Sequence, residues 1–346
     1  MSHVRVVAPD GAVEFEAEPG ERLLHAGLRA GAGLPHECAT GTCGSCRATV
    51  LSGTVERLWP EAPGAQSFRT EDAVLTCQVA ARGDVVLRVR GALAQCRGGP
   101  PGYVGGHVTE QRRRSPEIAE FQVALDEPML FTAGQFMLLE FSGLPGPRAY
   151  SPIRRPGAAP GVLDLLVRQG AADGACALLF GASPAGRPVR VFGPLGTAVF
   201  DAAERRPFVA IAGGSGIAGI LSILDEAAHA GHFTAYPSAL VFGLRSPAAA
   251  YLLDDLAARV CAASGGLAVT IAFSDVAADD AMRRAYPDLA FAHGFAHDAA
   301  RTVLPGIGPN PLHYVAGPPA MVNAALLMLV AELRVSPQEI RYDRFG

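Results

Sequence analysis

Four cysteines constrain this chain more than any other feature of its sequence. Cys38, Cys43 and Cys46 follow one another as C-x4-C-x2-C, and Cys77 comes after a long gap. Between Cys38 and Cys46 the other residues are Ala, Thr, Gly and Ser. A short loop of small residues lets three thiolates surround a metal centre and lets backbone N–H groups approach it. The pattern therefore predicts one metal site made by these four cysteines.

Three other uses of the cysteines fit less well. A disulfide framework needs an oxidising compartment, and the first residues carry charges where a secretion signal has an apolar run. We therefore expect a cytoplasmic protein. A structural zinc site usually has two close cysteine pairs, whereas Cys77 is isolated in the sequence. The spacing is that of plant-type [2Fe–2S] clusters. The other three cysteines are expected to be small buried residues: Cys96, Cys176 and Cys261.

Composition excludes two classes of partner. Of the 346 residues, 49% are hydrophobic and 18% are charged, so more than one domain can bury a core. The net charge of −4, without a basic stripe, argues against a nucleic-acid partner. Residues 207–224 and 311–330 are uncharged, but glycine or proline interrupts each stretch. Neither therefore predicts a membrane-spanning helix.

The segment around the cysteines contains the signals of a small sheet. A hairpin with an Asp-Gly turn, a short helix over residues 22–30 and a final strand over residues 85–89 are predicted. This arrangement resembles the ferredoxin fold, an α+β (β-grasp) domain. We place it at residues 1–96, with a Gly- and Pro-rich linker at residues 97–103.

The next part of the chain consists of short strands with turn signals. This predicts a small antiparallel barrel over residues 104–204. Within it, Arg148 and Tyr150 fall on one face of a strand, followed by Ser151. A guanidinium suits a pyrophosphate, and a flat ring suits stacking on a flavin. Taken alone, the motif is also typical of a strand end with a surface arginine and a half-buried tyrosine.

Residues 205–346 alternate apolar strands and helices. This predicts an α/β domain with a parallel sheet that binds ligands at the C-terminal ends of its strands. A glycine turn there lets a helix N-terminus meet a pyrophosphate, although it can also serve only for tight packing. The residues of the turn are Gly213, Gly214, Ser215, Gly216 and Ile217.

These motifs together resemble the ferredoxin–NADP reductase superfamily. The resemblance also rests on a strand ending in Val-Arg and on Val-Phe-Gly-Pro-Leu-Gly at residues 191–196. It implies that Arg148 binds the pyrophosphate of FAD, that Tyr150 stacks on the isoalloxazine ring, and that the Ser151 hydroxyl lies near flavin N5. The strand residues expected at the same site are Leu166, Val167 and Arg168.

The chain departs from the family pattern at two places. The phosphate turn after the Val-Arg strand usually contains a serine, which is missing from Gly174, Ala175 and Cys176. Backbone N–H groups at a helix start can still hold a phosphate, so these residues stay expected FAD ligands. The family motif Cys-Gly-Pro-Pro, near the nicotinamide, begins with alanine in this chain. Its residues are Ala316, Gly317, Pro318 and Pro319.

The remaining predicted contacts are with the adenosine end of the dinucleotide and, from the resemblance of the C-terminal segment, with the flavin. Arg245, after the second strand of this part, is expected to contact the adenosine ribose. Asp254 and Asp255 lie nearby without a second basic residue, which favours NADH over NADPH. Phe345 is expected to shield the flavin ring, or alternatively only to anchor the C-terminal segment. The residues expected at the reacting centre are Tyr150, Ser151 and Phe345.

The order ferredoxin, FAD barrel and nicotinamide domain resembles the reductase component of bacterial multicomponent oxygenases. Among these, the reductases of toluene-4-monooxygenase-type systems are the most similar. The resemblance implies a monomer that passes electrons from NADH through FAD and [2Fe–2S] to a transiently docked ferredoxin or oxygenase component. One alternative is the reductase of a Rieske ring-hydroxylating dioxygenase or of a deoxysugar dehydratase. Another is a non-enzymatic electron-transfer subunit of a larger dehydrogenase.

Overall fold

The computed structural model describes residues 1–93, 99–170, 174–181 and 184–345, with residues 175–177 described by their backbone alone. These residues fall into two compact units. The first unit comprises Met1–Val104, Met137–Ala149 and Arg190–Leu195, and the second comprises Gly105–Phe136, Tyr150–Val189 and the chain from Gly196 onward. The domain boundaries drawn from the sequence stay a prediction.

The N-terminal sheet has five strands in the order β2-β1-β7-β3-β5, beside a two-stranded ribbon of β4 and β6. Strands β1 and β2 form the predicted hairpin, with Val4 opposite Phe15. Strand β7 runs parallel to β1. The alternation of apolar and polar residues leaves Val4 and Val6 fully buried on one face. The elements are β1 (Ser2–Ala8), β2 (Gly11–Ala17), α1 (Leu23–Arg29), β3 (Arg47–Ser52), β4 (Val55–Arg57), β5 (Ala73–Leu75), β6 (Val79–Ala81) and β7 (Val85–Val89).

The predicted antiparallel barrel is present as a six-stranded sheet in the order β11-β10-β13-β8-β9-β12. A bridge between Pro152 and Leu165 joins the residues after β11 to β12, so the sheet nearly closes. Its first strand begins at Gly102, inside the segment predicted as a linker, of which residues 97 and 98 lie outside the described residues. The elements are β8 (Gly102–Arg113), β9 (Ile118–Leu125), β10 (Phe136–Phe141), β11 (Arg148–Tyr150), β12 (Val162–Arg168), α2 (Gly174–Phe180) and β13 (Pro188–Leu195).

The third sheet is parallel, as predicted, in the order β17-β16-β15-β14-β18-β19. Its central strand β14 is buried at every position, because helices cover both faces of such a sheet. The elements are β14 (Phe208–Gly213), α3 (Ile217–His229), α4 (His232–Ala235), β15 (Ser238–Leu244), α5 (Leu253–Ala262), β16 (Leu267–Phe273), α6 (Asp280–Ala285), β17 (Ala290–His293), α7 (Ala296–Val303), β18 (Leu312–Gly317), α8 (Pro319–Leu327) and β19 (Ile340–Arg344).

Two local expectations are wrong. The sequence favours one helix over residues 248–260, but a short 3-10 turn comes first and α5 begins at Leu253, after Leu252 adopts a left-handed φ of 65°. Cys261 is exposed rather than buried. The buried positions of α5 are Leu253 and Leu256, and Cys261 points away from that stripe at 3.6 residues per turn. In the described part of the chain, no helix is both long and apolar enough to cross a membrane.

Candidate functional site

The four predicted ligand cysteines come together in the first unit as two pairs. The Sγ atoms of Cys46 and Cys77 are 3.2 Å apart. In the other pair, a hydrogen bond from the Cys43 thiol lowers the pKa of Cys38 to about 4. The contact with Cys77 lowers the pKa of Cys46. Within each pair the pKa of the other thiol is raised. Each pair therefore offers one sulfur that readily becomes a thiolate, the form that binds metals.

Backbone N–H groups of the loop point at the sulfur atoms. The amides of Thr40 and Cys43 donate to Cys38 Sγ at 3.5 and 3.4 Å, and the amide of Ser45 donates to Cys43 Sγ at 3.5 Å. Such bonds stabilise negative charge on sulfur and tune the potential of an iron–sulfur centre.

Close packing explains why the loop is built from small residues. Gly41 and Gly44 have φ angles of 94° and 80°, which favour glycine. Gly64 lies against the loop, and a Cβ atom on it would be 2.7 Å from the nitrogen of Gly44. The N–H of Gly64 donates to the carbonyl oxygen of Gly41 at 2.9 Å.

The arrangement fits a two-iron cluster. In the described ranges, no three His, Cys, Asp or Glu side chains form a group suited to a single metal ion. Two thiol pairs instead suit two irons that each take two sulfur ligands. Cys38, Cys46 and Cys77 are 4%, 2% and 0% exposed, whereas Cys43 is half-buried. The site therefore approaches the surface on the side of Cys43.

Ser151 meets the requirement for a flavin neighbour. Its side chain is 5% exposed, and its Oγ atom is buried without a hydrogen-bond partner among the described residues. A Cβ atom on Gly219 would lie 3.4 Å from this oxygen. A buried hydroxyl without a hydrogen-bond partner costs about 1–3 kcal/mol of stability. A polar atom of a bound ligand would replace the hydrogen bond to water that the hydroxyl loses on burial.

Arg148 and Tyr150 lie at the two ends of the short strand β11. Nη1 of Arg148 donates to the carbonyl oxygens of Pro145, Gly146 and Pro147 at 3.0, 2.9 and 3.3 Å. These bonds hold the guanidinium at its own turn within the first unit. Tyr150 is half-buried and belongs to the second unit.

Strand β12, which is bridged to Pro152 through Leu165, contains the next predicted residues. Leu166 and Val167 are buried on β12. Arg168 is exposed and pairs with Glu117 at 3.1 Å. Gly174 begins helix α2. Residues 171–173 lie outside the described residues, and so do the side chains of Ala175 and Cys176.

The two glycine motifs of the second unit contact each other. A Cβ atom on Gly213 would lie 2.3 Å from Sδ of Met321, and one on Gly216 would lie 2.5 Å from Cα of Gly317. Gly214, Ser215 and Gly216 form a 3-10 turn between β14 and α3. The side chain of Ile217 is fully buried in the core, so only its backbone lies at the turn.

Phe345 lies beside the motif of residues 316–319. Its N–H donates to the carbonyl oxygen of Gly317 at 3.1 Å, because β19 runs parallel to β18. The ring meets Phe136 edge to face, with ring centroids 5.9 Å apart. Ala316 is buried on β18, and α8 begins at Pro319.

A cavity of about 1000 Å³ opens at the glycine turn of the second unit. Gly213, Gly214, Arg245, Pro318 and Arg168, all chosen from the sequence, line it. Its volume suits much of a dinucleotide, since ligand sites run to roughly 1,000 Å³. It is also lined by residues that sequence reasoning missed: Ser115, Glu117, Tyr251, Ser274, Phe295, His297 and Met321.

Strand position could have revealed two of the missed residues. Ser274 follows β16 directly, and Phe295 follows β17 after one glycine. Ligands of parallel sheets lie at such strand ends. Tyr251 is less predictable, because its hydroxyl donates to the carbonyl oxygen of Gly214 at 2.9 Å, and the two residues are far apart in the sequence.

Comparison with known proteins identifies the family. Residues 7–82 match the 2Fe-2S iron-sulfur cluster binding domain, and residues 210–326 match the oxidoreductase NAD-binding domain. The chain is 33% identical, over 96% of its length and 97% of the relative, to the ferredoxin–NAD(+) reductase component of the alkene monooxygenase system of Xanthobacter autotrophicus. The chain belongs to this family of oxygenase-system reductases. It is also 30% identical, over 100% of its length and 95% of the relative, to the phenol 2-monooxygenase reductase component of a Pseudomonas species.

Solved structures agree with this assignment. The ferredoxin reductase in carbazole 1,9a-dioxygenase has a TM-score of 0.81 at 27% identity, covering 99% of this chain and 98% of that one. A cytochrome P450 reductase of Amycolatopsis has a TM-score of 0.79 at 28% identity, with the same coverage. The reductase is thus an oxidoreductase with [2Fe–2S], FAD and NADH as cofactors, which confirms the predicted fold class and activity. A non-enzymatic subunit is not retained.

Proposed function

We propose that this reductase supplies single electrons, drawn from NADH, to a ferredoxin or oxygenase component of a monooxygenase that acts on a hydrocarbon or aromatic compound. The proposal rests on the arrangement of the four ligand cysteines in two pairs. Three of these cysteines are buried, whereas Cys43 is half-buried and reaches towards the surface. Electrons can leave on that side. The whole-length similarity to an alkene monooxygenase reductase supports the substrate class.

Each group of residues has a binding or orienting task. When bound, FAD accepts hydride from NADH and the [2Fe–2S] cluster carries electrons onward singly. Arg148 is proposed to bind the FAD pyrophosphate, Tyr150 to stack on the ring and Ser151 to donate or accept one hydrogen bond at its reacting edge. The further proposed FAD contacts are Leu166, Val167, Arg168, Gly174, Ala175 and Cys176.

The nicotinamide is proposed to lie between the two glycine motifs and the segment that ends in Phe345. The α3 N-terminus follows the Gly213–Gly216 turn, whose first two residues line the cavity, and it suits a pyrophosphate. Ala316 carries no ionisable group, so its side chain can contribute only shape to the nicotinamide site. Hydride transfer depends on positioning, and activity is expected without a thiol. Arg245, which is exposed at the cavity, is proposed to contact the adenosine ribose.

The partner complex is proposed to be transient. Redox partners typically bury small interfaces, which favours rapid release. We also propose that the reductase is a monomer in the cytoplasm.

The test compares two electron acceptors in the purified holoprotein. NADH-dependent reduction of ferricyanide can draw electrons directly from the flavin, whereas cytochrome c takes them from the cluster. Cys43→Ser is expected to abolish cytochrome c reduction and to leave most ferricyanide reduction. Cys261→Ser, at an exposed position on α5, is the matched control. Equal loss of both activities in Cys43→Ser contradicts the proposed order of electron flow.

A dioxygenase partner is the second candidate. The similarity to the carbazole 1,9a-dioxygenase reductase favours it. Titrating the reduced holoprotein with a Rieske-type ferredoxin and with a diiron hydroxylase distinguishes the two candidates. The physiological acceptor oxidises the cluster at micromolar concentration or below, and the other acceptor does not.

A further inference from the structure

The first unit joins the cysteine loop to strands of the flavin barrel. It contains residues 137–149 and 190–195, which carry most of β10, the turn before β11 and the end of β13. Helix α1 belongs to the same unit and precedes the cysteine loop. It packs against the short turn Thr76–Gln78, which carries Cys77. Whatever holds α1 on these barrel strands therefore also holds the cluster ligands.

One buried histidine of α1 makes that connection. His25 is 0% exposed, and its Nδ1 lies 2.7 Å from the hydroxyl of Tyr103, the second residue of β8. The imidazole stacks on Phe192 of β13, with centroids 4.3 Å apart and planes 8° apart. The rings of Tyr103 and Phe192 also touch, at 4.6 Å. Helix α1 and strands β8 and β13, which are distant in the sequence, thus meet at the ring of Phe192.

Charged residues surround this set of rings. The guanidinium of Arg190 lies 3.6 Å from the centroid of the Tyr103 ring. Arg22, at the start of α1, pairs with Glu140 of β10 at 3.0 Å, and both side chains are mostly buried. A Cβ atom on Gly146 would lie 3.8 Å from Nη2 of Arg22. The ion pair therefore reaches the turn that holds Arg148.

Packing alone does not account for a histidine at this position. Burial lowers the pKa of His25 to about 3, so the ring is neutral. Its Nε2 is buried without a partner in the described part of the chain, an arrangement that costs roughly 1–3 kcal/mol. A leucine avoids that cost but makes no hydrogen bond with Tyr103. Directional hydrogen bonds select one arrangement where apolar contacts tolerate several.

We propose that His25 and Tyr103 are positioning residues for electron transfer into the cluster. Their hydrogen bond, with the stack on Phe192, fixes α1 and the cysteine loop on the flavin-barrel strands of the first unit. Neither residue touches the reacting atoms. This inference rests on the proposed function, in which electrons reach the cluster from the flavin.

The test uses the full-length holoprotein with Tyr103→Phe and His25→Leu. Tyr103→Phe removes only the hydroxyl and keeps the ring on Phe192, so it is expected to fold and to bind its cofactors. Arg29→Gln is the matched control, because it removes an ion pair of the same helix, Arg29 with Glu21 at 2.9 Å, and leaves the hydrogen bond between His25 and Tyr103 in place. Iron and flavin content are measured for every protein.

Two readouts distinguish positioning from a merely structural role. In stopped-flow experiments with NADH, cluster reduction is expected to slow about tenfold in Tyr103→Phe and more in His25→Leu, because a shift of about 1 Å between reacting groups can cost up to ~100-fold in rate. Ferricyanide reduction stays at the parent rate. Independently of activity, amide hydrogen exchange of residues 23–29 accelerates in both variants but not in Arg29→Gln.

Parent-like cluster reduction in Tyr103→Phe overturns the inference, whatever the exchange of α1, because the bond then has no influence on electron transfer. So does slowing in Arg29→Gln as large as in Tyr103→Phe. If His25→Leu loses iron or flavin, Tyr103→Phe decides. Failure of the proposed function looks different, because Cys43→Ser then loses cytochrome c reduction and ferricyanide reduction equally.

Discussion

Gly216 and Gly317 lie so close that a Cβ atom on Gly216 would be 2.5 Å from Cα of Gly317. The contact joins the turn after β14 to the motif that begins at the end of β18. Gly213, Gly214 and Pro318 of these two motifs line the cavity proposed for the nicotinamide. Neighbouring parallel strands bring the two motifs to one edge of the sheet.

The first prediction is that Gly216→Ala weakens NADH binding. The added methyl group must push the two motifs apart, so we expect KM for NADH to rise at least about tenfold, as a misplacement of about 1 Å can cost more than that. Gly306→Ala is the control, because nothing lies within 4 Å of a Cβ atom there. Steady-state kinetics and NAD⁺ titration measure the effect. An unchanged KM contradicts the proposed site.

The second prediction concerns the buried hydroxyl of Ser151. Ser151→Ala is expected to slow flavin reduction by NADH about 10- to 100-fold with FAD content unchanged, because it removes a positioned hydrogen-bonding group. Ser222→Ala is the control: its Oγ donates to the carbonyl oxygen of Arg154 at 2.9 Å, so this buried hydroxyl, unlike that of Ser151, already has a partner. That control should lose about 1 kcal/mol of stability and keep its flavin-reduction rate. Stopped-flow absorbance separates the two outcomes.

The third prediction is a pH dependence of stability at α1. The pKa of His25 is lowered from 6.5 to about 3 by burial, aided by Arg22, Arg190 and His36. Below pH 6.5 His25 binds a proton in the unfolded state but stays neutral in the folded state. The contribution of His25 to the free energy of unfolding is therefore present above pH 6.5 and is lost as the pH falls towards 3. Between pH 7 and pH 5 the loss is about 2 kcal/mol.

Native-state hydrogen exchange of residues 23–29 measures this loss. His25→Leu is the reference, because the carboxylates titrate in both proteins and cancel in the difference. The free energy of opening should fall by about 2 kcal/mol more in the parent than in the variant. Parallel pH profiles in the two proteins refute the assignment to His25.

The fourth prediction concerns the exposed cysteine. Cys261 Sγ lies 3.4 Å from Asp288 Oδ2, and this carboxylate raises the pKa of the thiol. Since the thiolate is the reactive form, Asp288→Asn should speed alkylation of Cys261 at pH 7. Mass spectrometry of the modified peptide follows the rate, with Asp275→Asn as the control. Equal rates in the two variants exclude the proposed influence.

Local patterns were sufficient for most of the strands and for the cluster ligands. The four cysteines, the hairpin before them and the apolar strand β14 all lie where alternation and spacing predict them. Such features depend on residues that are close together in the sequence, so the sequence alone is enough to predict them. The helix over residues 248–260 was wrong for the opposite reason, since Tyr251 turns inward to bond Gly214.

The sequence by itself determined the cofactor class and the order of the three parts, because thiolate spacing and strand–turn–helix motifs are local chemistry. Only the tertiary structure decided that the cysteines form two pairs, that Ser151 is buried with an unsatisfied hydroxyl, and that His25 meets Tyr103 and Phe192. These contacts join residues far apart along the chain. Their geometry follows from packing, which no local pattern specifies.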